Sequence, residues 1–156
     1  NRKMKVFLLI LTLFVGSSFA EKNKMIPLED FVKKEFSEEP NGEGLYIAYR
    51  CNGLYGMIYG LLLNAPQEGA EDVIKQTEEV QVKTIQIAKI FYNNLTPVEE
   101  RDFEDNLVRS VMPMAQKYQD IANESWTNTG DYFNEYILND SKVCRAFIEN
   151  AFKPKK

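Results

Sequence analysis

The stretch LYIAYRCNGLYGMIYGLLLN, Leu45 to Asn64, is apolar on nearly every side of a helical projection. A helix apolar all round belongs at the centre of a bundle or in a membrane. Arg50 and Asn52 interrupt the run, and the unbroken apolar part, Gly53 to Leu63, falls well short of the ~20 residues a membrane span needs. The pattern predicts a buried central helix and no stable membrane span after signal removal. Ala48, Cys51, Tyr55, Ile58 and Leu62 share one face, and Gly53, Gly56 and Gly60 lie opposite, beside Tyr49. Glycine weakens a helix interior by up to ~1 kcal/mol per residue, so a close neighbour or a bound ligand is expected on that face.

Outward from this helix the periodicity remains helical. Pro40-Asn41-Gly42-Glu43-Gly44 before it reads as a loop, and the charged segment from residue 21 to 44 has room for one short helix, Leu28 to Phe36. After it, Ala70 to Asn93 places Val73, Thr77, Val80, Thr84, Ile87 and Phe91 in one stripe, with Val82 and Ile90 as apolar exceptions on the polar side. Thr96-Pro97-Val98-Glu99 has the form of a capping box and predicts a third helix, with Phe103, Leu107, Val111, Met114, Tyr118 and Ile121 inward and a kink at Pro113. The acidic residues Glu99 to Asp105 suit the positive end of that helix, with Arg101 paired to Asp105. Beyond Gly130, a short aromatic segment precedes Asn139-Asp140-Ser141, which reads as the start of a last helix carrying Cys144, Phe147 and Ala151 on one face.

No stretch alternates apolar and polar residues long enough to suggest a sheet. The fold class expected is all-α, an antiparallel bundle of four to five helices closed by one disulfide. The two cysteines, Cys51 and Cys144, lie on the first and last long helices and stand in no C-x-x-C motif. Joining them closes a 93-residue loop, a constraint worth up to about 4.6 kcal/mol on the chain-entropy model.

The first 20 residues have the layout of a secretory signal peptide: basic Arg2, Lys3 and Lys5, an apolar run from Val6 to Val15, and Ser18-x-Ala20 as a cleavage site. The expected organisation is a cleaved signal over 1–20, the charged segment 21–44, a disulfide-stapled helical domain 45–152 and a basic tail 153–156. Removal of the signal leaves 16 basic and 23 acidic side chains, which makes nucleic acid and anionic membrane surfaces poor partners. Asn94, Asn123 and Asn139 head glycosylation acceptor patterns, which matter only in a eukaryote; the short leader suits a bacterium at least as well.

The 156-residue chain contains no histidine, which excludes Ser-His-Asp and Cys-His catalysis, His-ligated zinc or haem and the Glu-x-x-His di-iron site. No catalytic residue, metal ligand or cofactor is assigned. The candidate ligand or partner residues are Arg50, Asn52, Tyr49, Gly53, Gly56 and Gly60. A buried Arg50 must meet a carboxylate from another helix or face a cavity that takes an anion. Tyr46, Tyr49, Tyr55, Tyr59, Tyr118, Tyr132 and Tyr136 are expected in the core or around a pocket.

These features point to an exported non-catalytic module, periplasmic or secreted, that binds another envelope or secreted protein. The alternatives are a carrier or sensor of a small apolar or anionic ligand beside the Gly/Tyr-rich helix, which requires an internal cavity, and a hydrolase running on carboxylates alone, which requires two carboxyl groups facing one cleft.

Overall fold

The computed structural model describes residues 25–35, 39–64 and 68–154. The expected signal peptide and the last two residues of the basic tail lie outside the described residues. Five α-helices follow in order: α1 (Leu28–Glu35), α2 (Pro40–Asn64), α3 (Ala70–Leu95), α4 (Phe103–Thr129) and α5 (Glu135–Ala151), with a 3-10 turn at Val98–Glu100. No strand occurs among the described residues. The helices pack as an antiparallel bundle, as the periodicity predicts.

α2 is the axis of the bundle. Every residue from Ile47 to Leu54 is buried, because α3, α4 and α5 pack around it and leave no side for solvent. One part of the core gathers Leu28, Ile47, Leu54, Ile137 and Tyr118 around the Cys51–Cys144 disulfide, and a second joins Ala48 and Tyr49 to Ile87, Ala88 and Ile148. The disulfide links α2 to α5 with a Cα–Cα separation of 5.5 Å.

Four local expectations are corrected. α2 begins at Pro40, not Leu45: proline lacks only an amide that would be free at a helix start, so the Pro-Asn-Gly stretch is the first turn and not a loop. Thr96 does not cap the third helix. Its amide closes α3 on the Tyr92 carbonyl, the chain makes one 3-10 turn, and Asp102 caps α4 by accepting the Asp105 amide. Arg101 donates to the Thr96 and Asn93 carbonyls, while Asp105 pairs with Arg109 at 2.6 Å, one turn on. Tyr136, Ile137 and Leu138 of the aromatic segment belong to the last helix, capped by the Asn134 side chain on the Ile137 amide, so Asn139-Asp140-Ser141 lies inside α5, while Tyr132 and Phe133 precede it.

The α3 stripe faces inward except at Val73. Thr77, Thr84 and Ile87 are buried with Ala70, Ala88 and Tyr92, and Val80 and Phe91 pack against them, whereas Val73 joins Val82 and Ile90 among the exposed apolar residues. α4 runs through Pro113 and stops at Gly130, whose φ of 75° a side-chain-bearing residue rarely adopts.

Candidate functional site

Arg50 is the largest fully buried side chain of the described residues. A guanidinium has five N–H donors and loses heavily if any is left dry. Here Nε donates to Tyr118 Oη at 3.0 Å, and Nη1 donates to the Ile26 carbonyl at 2.6 Å and to Tyr46 Oη at 3.4 Å. Nη2 donates to Tyr136 Oη at 3.1 Å and to the Asp140 carboxylate, which is itself fully buried. Five donors thus meet five acceptors within the chain, and none is left over for an external anion.

Asp140 ties in the remaining elements. Its Oδ1 accepts the Leu28 amide at 2.8 Å, at the head of α1, and its Oδ2 accepts the Tyr118 hydroxyl at 2.5 Å. Tyr136 Oη donates to the Met25 carbonyl at 2.9 Å. The network therefore fastens residues 25–28 onto α2, α4 and α5. Burial pushes the Tyr118 hydroxyl well above the ordinary tyrosine pKa and lifts Tyr136 to about 12. Burial opposes the charge on Arg50, but Tyr118, Tyr46, Tyr136 and Asp140 more than offset it, and its pKa is raised.

The other expected site residues fall elsewhere. Tyr49 is buried with its hydroxyl donating to Asn106 Oδ1, and burial raises its pKa to about 12. Asn52 spends its amide on α3, donating to Thr84 Oγ1 at 2.9 Å and to the Gln81 carbonyl at 3.2 Å. Gly53 meets α4: a Cβ there would sit 3.0 Å from the Ala115 nitrogen and 3.1 Å from the Met114 side chain. Gly56 has only Gln81 within reach, at 3.3 Å, and Gly60 faces open space. The tightest glycine is Gly44, outside the expected set, where a Cβ would collide with the Phe91 ring.

Asn52 and Gly56 do meet at one place. They form the floor of a groove of about 330 Å³ between α3 and α4, with Gln81 on one wall and Leu107, Val111 and Ala115 on the other. Val108 and Met112 stand at its edge, 58 % and 64 % exposed. A second cleft of about 360 Å³ runs between α3 and α5 over Tyr55 and Ile58. A third, of about 440 Å³, opens where the end of α2 meets the α4–α5 turn. All three are clefts open to solvent.

Among the described residues no group of three or more Cys, Asp or Glu gathers to hold a metal ion. No helix among them is long and apolar enough to cross a membrane. Glu43 Oε2 is buried with no hydrogen-bond partner among them, in the first turn of α2, where the helix dipole favours a carboxylate.

Asp140 escapes the sequence reading because Asn139-Asp140-Ser141 resembles a helix start. The cysteines carry the signal that finds it: Arg50 precedes Cys51 by one residue, and Asp140 precedes Cys144 by one helical turn. These features define a histidine-free, disulfide-closed all-α bundle with a saturated Arg-Asp-Tyr network at its centre. No protein-family model matches the chain, and no curated protein or solved structure matches it.

Proposed function

We propose that this chain is an exported, non-catalytic binding module that takes an amphipathic helix of another envelope or secreted protein into the groove between α3 and α4. The observation that carries the reading is the groove itself: a largely apolar channel floored by Asn52 and Gly56, with Val108 and Met112 left exposed beside it. Its walls are two helices already packed on α2, so a further helix laid between them continues the packing of the bundle. Met112 adapts to the shape of an apolar anchor, and Gly56 lets that anchor approach the α2 backbone. The acidic 3-10 turn and the start of α4, with Glu99, Glu100, Asp102 and Glu104, favour Lys or Arg beside the partner's apolar stripe.

Export rests on the signal-like first 20 residues and is supported by the disulfide, which is at home in an oxidising compartment. Saturation of Arg50 weighs against an anion carrier at that residue.

The test places a photo-crosslinking amino acid at Val108 in protein expressed with its leader in an export-competent host. The expected result is a chain cleaved after Ala20 and a discrete adduct that disappears when Met112→Lys is added, with no such adduct from a probe at Phe152. The crosslinked segment, made as a peptide, then binds the purified protein and shows an apolar stripe flanked by basic residues. Adducts equal at Val108 and Phe152, or unaffected by Met112→Lys, overturn the groove; an uncleaved chain retained in the cytoplasm overturns export.

A further inference from the structure

The third cleft has a different chemistry from the α3/α4 groove. Trp126 and Met112 are separated by 14 residues of α4, roughly 20 Å along the helix, so the two sites are separate. The cleft is a slot lined by Trp126, Tyr132 and Phe133 from the α4–α5 turn, Leu61 and Leu62 from the end of α2, and Asp131. The Trp126 and Tyr132 rings stack with centroids 4.6 Å apart and planes 12° from parallel, and Trp126 is still 50 % exposed. An indole that is already stacked and remains half in water offers its other face and its edge to something that occupies the slot.

The turn that holds these rings is firmly tied. Ser125 Oγ donates to the Asp131 carbonyl at 2.6 Å, the Asp131 amide donates to Thr129 Oγ1 at 3.2 Å, and Asp131 Oδ1 accepts the Phe133 amide at 2.8 Å. The carboxylate is therefore held by one oxygen, and no donor among the described residues reaches the other. Among the described residues no Lys or Arg lines the slot.

Two features select the ligand. Aromatic faces beside a carboxylate attract a cation, and indole is the best of the aromatic partners. The lining also offers few hydrogen-bond acceptors: among the described residues Asp131 and the Tyr132 hydroxyl are its only side-chain acceptors, and the Trp126 indole N–H is a donor. A primary ammonium brings three N–H donors, some of which it would have to keep on water, and a sugar brings more hydroxyls than these groups can serve, so neither is matched by the lining. A cation whose charge is wrapped in methyl groups brings none. We infer that the slot formed by Trp126, Tyr132, Phe133 and Asp131 is a binding site for small quaternary ammonium compounds.

Trp126 is the single tryptophan of the chain, so its fluorescence reports on the slot alone. The disulfide-bonded protein is titrated with choline, with its neutral isostere 3,3-dimethylbutan-1-ol, and with sodium chloride at matched ionic strength. The expected result is a saturable fluorescence change with choline that neither control reproduces. Asp131→Asn keeps the oxygen that accepts the Phe133 amide and removes the charge, and is expected to weaken choline about fivefold or more while retaining the native circular dichroism. Trp126→Leu, followed by calorimetry, is expected to abolish the binding heat. Equal response to the neutral isostere reduces the slot to an apolar cleft and overturns the inference. So does a response matched by sodium chloride, the absence of saturation, or unchanged choline affinity in Asp131→Asn. The helix-binding groove can fail its own test without touching this one, because Val108 and Met112 take no part in the slot.

Discussion

Arg50 and Asp140, 90 residues apart in sequence, form a fully buried ion pair, and each sits beside one half of the Cys51–Cys144 disulfide on its own helix. The covalent link and the charge pair thus clamp the same two helices, α2 and α5, at the same level. Tyr118 adds α4 to the clamp, and the Leu28 amide adds α1.

Breaking one side of this pair strands the other. Arg50→Met and Asp140→Asn are each expected to destabilise the fold by about 3–5 kcal/mol, whereas the double change Arg50→Met with Asp140→Leu lies closer to the parent than the sum of the single changes. Urea unfolding of the oxidised variants measures this. Single variants within about 0.5 kcal/mol of the parent would contradict a structural ion pair.

The disulfide is expected to be present in protein purified without reductant and to matter for stability. Denaturing mass spectrometry before and after reduction should show a gain of about 2 Da, one hydrogen per sulfur. Cys51→Ala with Cys144→Ala should lower stability by about 2–5 kcal/mol, and the loss should be smaller if the reduced chain retains residual structure. No change in mass would mean that the pair is not formed.

Glycine substitutions should separate close approach from open surface. Gly44→Ala forces a methyl group into the Phe91 ring, and Gly53→Ala presses on the α4 backbone at Ala115, so each should destabilise by about 1–3 kcal/mol. Gly60→Ala meets nothing within 4 Å and should stabilise the helix by about 0.5–1 kcal/mol. Thermal unfolding of the three variants ranks them, and equal effects would show that helix propensity alone governs this face.

Alkali should unfold the protein through its buried tyrosines. Tyr49 and Tyr136 are held neutral up to about 12, against 10.0 for a free tyrosine, and Tyr118 is raised as well. The folded pKa lies above the unfolded one, so their contribution is intact below pH 10.0 and is lost as pH rises toward and through about 12. Phenolate absorbance after brief pH jumps should show Tyr49, Tyr118 and Tyr136 ionising late, together with loss of helical circular dichroism. Ionisation of all eight at one ordinary pKa with helicity intact would contradict the buried network.

Much of the architecture was legible in local pattern. Helical periodicity repeats within a few residues, so the number of long helices, the burial of Ile47 to Leu54 and the antiparallel bundle follow from spacing alone. With two cysteines there is one intramolecular pairing, and the helix phases that place Cys51 and Cys144 inward make it geometrically reasonable. The absence of histidine removes whole classes of chemistry without any coordinates.

Other features depend on how the helices are set against one another. That a buried Arg50 needs a carboxylate is a local inference, but the choice of Asp140 depends on the height and rotation at which α5 meets α2, and those are fixed by packing across 90 residues of chain. The same holds for the glycines: Gly53 and Gly60 look alike in a helical projection, yet one touches α4 and the other meets nothing within 4 Å among the described residues. Helix ends behave likewise: one helix starts at Pro40, and Asp102 and Asn134 cap two others with their side chains. Spacing along the chain specifies which faces are apolar. Which groups meet across those faces is decided when several helices bury them together, because an unpaired charge or a misplaced methyl group is tolerated in none of the competing arrangements.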